Sequence, residues 1–267
     1  MLIPGKVFAV TGGGNGIGRD VVLALLAKGA RVAAIDISEK GLNETVALAG
    51  AGDKLTIHRV DLTDRAAVEA LPAAVIAAHG AVDGLLNVAG IIQPFVRMND
   101  LPIADVERVM NVNFYGPLFI TKAFLPLLLA RPEAHIVAVS SMGGFLAVPG
   151  QTAYGASKAA MKLMFEGLYA ELLDTKVGVS VVFPGAIATN IAGNSGVTLA
   201  GMDPDKPSPI KMTPSPEAAR QIVVAIEKNR YHTFIGKDSK MLDALTRLIP
   251  KQAAKIIYSQ MRSLLPK

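Results

Sequence analysis

Seven short apolar runs recur along this chain, alternating with longer stretches that carry apolar residues at helical spacing. The runs cover residues 6–11, 31–36, 55–60, 84–87, 135–140, 178–183 and 231–235. The helical stretches cover 17–27, 38–49, 64–79, 102–130, 152–174 and 217–228, the fourth expected to break near Gly116-Pro117. Strands alternating with helices of this length need crossover connections, and right-handed crossovers build a parallel sheet covered on both faces. The fold class is therefore α/β: one doubly wound domain over residues 1–267, with a mainly parallel seven-stranded sheet. A composition of 51% hydrophobic and 18% charged residues allows the core that such a domain needs.

Two segments depart from the rhythm. Residues 186–216 are rich in Gly, Pro, Ser and Asn and too long for an idle connection. Placed after the sixth strand, they are expected to form a lid over a substrate cleft. Residues 238–267 form a helical extension, with helices over 238–249 and 252–265 separated by Pro250.

The net charge of +5 sits at one end. Residues 237–267 hold seven Lys/Arg and two Asp/Glu, which leaves the remainder balanced at twenty of each. A neutral body argues against a nucleic-acid surface. The basic amphipathic tail is expected to cover the substrate pocket or a subunit contact; peripheral contact with an anionic membrane is the alternative. There are no cysteines, which excludes disulfides and thiolate chemistry, and the four histidines lack ligand spacing, so no metal is expected. No apolar run reaches the eighteen or so residues of a membrane span. The first strand follows Met1 too closely to leave room for a leader, and a cytoplasmic location is expected.

The first strand ends in Thr11-Gly-Gly-Gly-Asn-Gly-Ile-Gly18 and opens a helix. Gly12, Gly16 and Gly18 permit a tight turn and let the backbone approach a pyrophosphate, with Asn15 and Ile17 in the same turn. The helix beginning near Ile17 aims free amides and its positive end at that anion. Eighteen residues on, Asp36 closes the second strand, where a carboxylate can accept from an adenosine ribose and repel a 2′-phosphate. No base follows it in Ile37-Ser38, so NAD is expected rather than NADP. Asp61 and Leu62 end the third strand on the same sheet edge. They fit either contact with the adenine edge or a cap for the helix starting near Asp64. Asn87-Val-Ala-Gly90 ends the fourth strand with small residues that can lie against a cofactor.

Tyr154 and Lys158 lie one helical turn apart, thirteen and seventeen residues after Ser141. An ammonium at about 4 Å offers about 4 kcal/mol in an intermediate dielectric, enough to draw a phenol from about 10 toward neutral pH. Such a phenol can carry a proton beside a reacting carbonyl.

These residues together resemble the short-chain dehydrogenase/reductase superfamily. The likeness runs from Lys6 to about Thr189 through Thr-Gly-xxx-Gly-Ile-Gly at 11–18, Asp36, Asp61, Asn87-Val-Ala-Gly90, Asn113-Phe-Tyr-Gly116, Ser140-Ser141, Tyr154-xxx-Lys158 and Pro184-Gly185. Val88 stands where the family often has Asn. The resemblance implies a Rossmann fold. It makes Tyr154 the general acid/base and gives Ser141 the substrate oxygen. Lys158 would lower the Tyr154 pKa and hold the nicotinamide ribose, and Asn113 would support a water leading protons to Lys158. Pro184, Gly185, Ile187 and Thr189 are then expected to line the nicotinamide side, and Asn87, Ala89 and Gly90 the cofactor wall. It also implies a homodimer or homotetramer joined through the helices around 102–130 and 152–174.

The expected function is an NAD(H)-dependent oxidoreductase that interconverts a secondary alcohol and a ketone. Phe145, Leu146, Val148 and Pro149, with Ile191, Val197, Leu199 and Met202 of the lid, suggest a hydrophobic substrate; plain core packing is the competing account. A non-catalytic NAD-binding regulatory or scaffold protein on the same fold is the alternative function.

Overall fold

The computed structural model describes residues 1–197, 212–262 and 265. Seven strands form one sheet: β1 (Val7–Thr11), β2 (Arg31–Asp36), β3 (Leu55–Arg59), β4 (Gly84–Asn87), β5 (Ala134–Val139), β6 (Val177–Pro184) and, last in the chain, β9 (His232–Ile235). Their spatial order is β3-β2-β1-β4-β5-β6-β9, and every pairing is parallel. Strands β1, β4 and β5 are buried along their whole length, as expected where helices cover both faces. The order reverses between β1 and β4, which opens a crevice at their C-terminal ends. This is the doubly wound Rossmann architecture.

Helices α1 (Gly16–Ala27), α2 (Glu39–Ala49) and α8 (Ser215–Glu227) cover one face. Val21, Val22 and Leu25 pack there with Ala219, Ile222 and Val223. Helices α3 (Arg65–His79), α4 (Ile103–Met110), α5 (Gly116–Leu129) and α6 (Thr152–Glu171) cover the other, with Val68, Ile120, Phe124 and Phe165 at its core.

The break expected near Gly116-Pro117 does not occur. Residues Asn111–Tyr115 form a π turn, closed by the Gly116 N–H on the Asn111 carbonyl, and α4 runs through it into α5. Pro117 sits in the first turn of α5, where a missing N–H is tolerated. The continuous helix Ile103–Leu129 is therefore long and apolar enough, by length and composition, to cross a membrane, with a mean hydropathy of 1.4. Its Ile120, Phe124 and Leu128 are fully buried against the sheet.

The segment after β6 begins with β7 (Ile187–Ala188) and α7 (Ile191–Asn194) and returns at β8 (Thr213–Pro214). Strands β7 and β8 pair with each other and pinch the base of the excursion. Of the apolar residues assigned to the lid, Leu199 and Met202 lie outside the described residues.

The C-terminal extension is α9 (Lys237–Leu248) and α10 (Pro250–Met261). Pro250 begins α10 rather than separating the two helices, as suits a residue with no N–H to bond. Ser239 Oγ donates to the Phe183 carbonyl at 2.8 Å, fastening α9 to the end of β6. Leu265 reaches the loop between Ser141 and Tyr154: a side chain at Gly150 would meet Leu265 Cδ2 at 2.8 Å and Phe95 Cδ1 at 3.5 Å.

Candidate active site

The turn after β1 is built so that only glycine fits. Gly12 has φ +72° and Gly16 +49°, in the left-handed region. A Cβ on Gly18 would lie 2.0 Å from the Gly12 carbonyl oxygen, and one on Gly12 would lie 3.0 Å from Ala89 Cα. The β1 turn and the β4 turn thus touch at the point where strand order reverses. Asn15 caps α1, its side chain accepting from the Gly16 N–H at 2.6 Å, and Asn15 Nδ2 donates to Asn194 Oδ1 at 3.2 Å. The first turn of α1 carries no acid, so its positive end stays open to an anion.

Asp36 faces this turn. Its Oδ2 accepts from the Gly14 N–H at 3.0 Å and its Oδ1 from the Ser38 N–H at 2.9 Å. A carboxylate offers about four lone-pair sites, so both oxygens can still accept from ribose hydroxyls. The nearest base in the turn is turned away: Arg19 binds the Gly14 carbonyl at 2.5 Å, Thr45 at 3.1 Å and Glu44 at 2.7 Å. Ile37 stands exposed beside Asp36.

A cavity of about 860 Å³ runs from Asp36 across the glycine turn. Gly12, Asn15, Gly16, Ile17, Gly18, Asp36, Asp61, Leu62, Ala89, Gly90 and Thr189 all line it. Asp61 does not cap α3. Asp64 does, accepting from the Ala67 N–H at 3.1 Å, while Asp61 accepts from the Thr63 N–H at 2.9 Å. Asn87 lies behind the wall: it is buried and its amide reaches Thr121 Oγ1 at 3.3 Å. Pro184, Gly185 and Ile187 are not in the cavity lining. Gly185 packs against the Asp238 carboxylate, which accepts from the Ala186 N–H at 3.0 Å. Val88, of the Asn87–Gly90 motif, also lines the cavity, and Thr63 and Arg108 join the lining without having been singled out in the sequence.

The four residues expected to be catalytic, Asn113, Ser141, Tyr154 and Lys158, are not in the cavity lining; two of them lie behind Gly90. A Cβ on Gly90 would lie 3.0 Å from Lys158 Nζ and 3.3 Å from Asn113 Oδ1. A Cβ on Gly143 would lie 3.2 Å from the Tyr154 ring and 3.5 Å from Ser141 Oγ. Lys158 and Asn113 thus meet at Gly90, just after β4, and Ser141 and Tyr154 meet at Gly143, just after β5. The two serines separate clearly. Ser140 Oγ donates to the Lys158 carbonyl at 2.8 Å, inside the core, while Ser141 Oγ accepts from the Gly143 N–H at 3.0 Å and hydrogen-bonds the Tyr154 phenol. Asn113, inside the π turn, accepts from the Ile91 N–H at 2.9 Å and donates to the Ile91 carbonyl at 2.9 Å and Ser157 Oγ at 3.0 Å. These three bonds use both amide protons and one lone pair of Asn113 and fix the Ile91 backbone beside Gly90.

Burial pushes the Tyr154 phenol above its ordinary range, and the hydrogen bond with Ser141 pulls it partly back. The lysine charge does not enter that balance here, so the lowering anticipated from the sequence is not seen. Lys158 instead donates to the Val139 carbonyl at 3.0 Å, and burial lowers it to about 8. For a lysine depressed on folding, the folded state carries a penalty that is full below about pH 8 and fades as pH climbs to the unfolded value of 10.5. The difference is worth about 3 kcal/mol. Lys158→Met abolishes it at every pH. Between pH 7 and pH 10, the stability of the parent relative to this variant is therefore expected to rise by about 2–3 kcal/mol in urea unfolding. A pH-independent gap would show the ammonium to be solvated.

Three residues of this centre were given no role from the sequence, although Thr11 opens the glycine motif. Thr11 Oγ1 accepts from the Val88 and Ala89 N–H groups at 3.0 and 3.1 Å, stitching the two turns together. Gln93, fully buried, accepts from the Ala153 and Tyr154 N–H groups at 2.8 and 3.0 Å, and its amide donates to the Gly150 carbonyl at 2.9 Å. It caps the helix that carries Tyr154. Asp238 holds the backbone just after Gly185. Only Thr11 was near a recognisable motif; the other two act across gaps of 61 and 52 residues.

The comparisons with known proteins agree with this arrangement. Residues 6–199 match the family model described as short chain dehydrogenase. The Mycobacterium tuberculosis protein SadH, a proposed oxidoreductase, is 36% identical over 98% of this chain and 97% of its own length. Mouse dehydrogenase/reductase SDR family member 7B is 37% identical over 71% of this chain and 60% of its own. A short-chain dehydrogenase/reductase from Burkholderia phymatum, solved in complex with NAD, superposes with a TM-score of 0.84 at 27% identity, covering 92% of this chain and 94% of its own. One from Burkholderia cenocepacia, solved with NADP, gives 0.79 at 27% identity over the full length of both. A glycine turn that leaves no room for a Cβ on Gly18, a cavity running from it to Gly90, the buried Lys158 behind that glycine and the half-buried Ser141 and Tyr154 beside Gly143, on a sheet shared with these relatives, fit the family that the matches show: the chain is an oxidoreductase of the short-chain dehydrogenase/reductase family.

Proposed function

We propose that the protein interconverts a secondary alcohol and a ketone with NAD(H) in preference to NADP(H). The supporting observation is that Ser141 and Tyr154 meet at Gly143, beside the lysine that borders the Gly90 end of the nucleotide cavity. A bound nicotinamide dinucleotide supplies or accepts the hydride. The chain supplies position and a proton. With its pKa raised, Tyr154 holds its proton at neutral pH and can give it to a carbonyl oxygen in the reducing direction. The Ser141 hydroxyl, oriented by the Gly143 N–H and bonded to Tyr154 when no substrate is present, donates to the same oxygen. Lys158, beside Gly90, is placed for the nicotinamide ribose, and Asn113 keeps the adjoining Ile91 backbone in register.

The substrate reading narrows. Phe145 packs edge-on to Phe183 and Phe234, and Leu146 is buried, so these two belong to the core. Val148, Pro149 and Phe95 remain part-exposed near Leu265, and a hydrophobic alcohol or ketone is proposed on them. A homodimer or homotetramer in the cytoplasm completes the proposal. Tyr115, Leu129 and Leu163, exposed on the helices α4–α6 and the turn between them, fit a subunit contact.

The test is turnover with NADH and NADPH across aliphatic, aromatic and polycyclic carbonyls. NADH is expected to be preferred, and Asp36→Ala to narrow that preference by about tenfold, the cost of one hydrogen-bonded charge. An unchanged ratio removes the ribose role from Asp36. Binding of NADH without turnover of any carbonyl would favour a regulatory protein.

A further inference from the structure

We propose that the C-terminal helix pair docks the protein on an anionic lipid bilayer, through the α9–α10 elbow and the outer face of α10. The extension divides its faces. Toward the protein, Ala253 and Ile257 are buried. Outward, Lys251, Lys255, Tyr258 and Arg262 follow at i, i+4, i+7 and i+11, and all four are exposed. That spacing draws one stripe along a helix. At the elbow, every residue from Arg247 to Gln252 is exposed. Within it Leu248 is 79% and Ile249 40% exposed, held between Arg247 and Lys251, with Met241 at 64% on α9. Arg247 is paired with Asp243 at 3.0 Å, but no Asp or Glu follows Asp243 in the chain, and among the described residues no ion pair engages Lys251, Lys255 or Arg262.

Charge and shape together select the occupant. Aliphatic side chains set among bases and a tyrosine suit the boundary between acyl chains and anionic headgroups, where the hydrocarbon enters and the bases meet phosphate. A second copy of the chain, joined about a two-fold axis, would set this basic stripe against itself. A nucleic acid would leave Leu248 and Ile249 with nothing to bury them. Leu265 of the extension also rests by Gly150 and Phe95, where the hydrophobic substrate is proposed to bind. Under the hydrophobic-substrate reading above, the rim of the cleft would then open beside lipid-dissolved substrate; the docking itself does not rest on that reading.

The full chain should sediment with vesicles of mixed phosphatidylcholine and phosphatidylglycerol, not with phosphatidylcholine alone, and salt should weaken the binding. K251Q/K255Q should weaken it about 25-fold, about fivefold for each base. L248S/I249S should weaken it with all charges kept. Both variants should retain the parent's melting temperature, NADH binding and turnover of a water-soluble carbonyl, which separates this test from that of the reaction. No binding to the mixed vesicles, or equal binding to both kinds unaffected by the lysine changes, would overturn the proposal. So would a fall in particle mass by light scattering for L248S/I249S, because the elbow would then be a subunit contact.

Discussion

Replacing Tyr154 with Phe is expected to lower kcat by about 10²–10⁴-fold, the usual worth of a positioned general acid or base. Dinucleotide affinity should not change. The ring that rests on Gly143 is kept, as is the backbone N–H that donates to Gln93. Only the hydroxyl is removed, and with it the proton and the hydrogen bond with Ser141. The loss should therefore fall on kcat rather than on KM, because the missing interaction belongs to the transition state. Steady-state kinetics and a fluorescence titration with NADH separate the two. Normal turnover by the Phe variant would take the proton-carrying role away from Tyr154.

Gly18→Ala is expected to abolish tight dinucleotide binding and to destabilise the fold. The added methyl would lie 2.0 Å from the Gly12 carbonyl oxygen and 2.5 Å from its carbon. A methyl has no rotamer to turn away, so the backbone must move. Gly12 cannot yield easily, since it already approaches Ala89 and carries a left-handed φ. Overpacking of this kind costs about 1–3 kcal/mol, and a comparable loss in binding is about 5–150-fold. Gly167→Ala is the control. Gly167 lies in α6 with open space where its Cβ would be, so alanine there should stabilise by about 0.5–1 kcal/mol through helix propensity. Urea unfolding and NADH titration of both variants make the comparison. If Gly18→Ala bound NADH like the parent, the β1 turn would not be the phosphate cradle.

The sequence by itself determined the strands, most of the helices, the glycine turn, Asp36 and the spacing of Ser141, Tyr154 and Lys158. Those features are written in local terms: hydrophobic period, backbone freedom at glycine, and one-turn spacing on a helix. Only the tertiary structure decided the rest. It carried the helix through Pro117 by a π turn, placed Phe145 and Leu146 in the core, and tied Ser140 to the Lys158 carbonyl while setting Ser141 against Tyr154. It set burial above charge in the titration of Tyr154, brought Gln93 to the start of α6 and Asp238 to the end of β6, and turned the bases of α10 outward. Each of these depends on which atoms far apart in the chain come within hydrogen-bonding or van der Waals range, and a one-dimensional pattern carries no such distances.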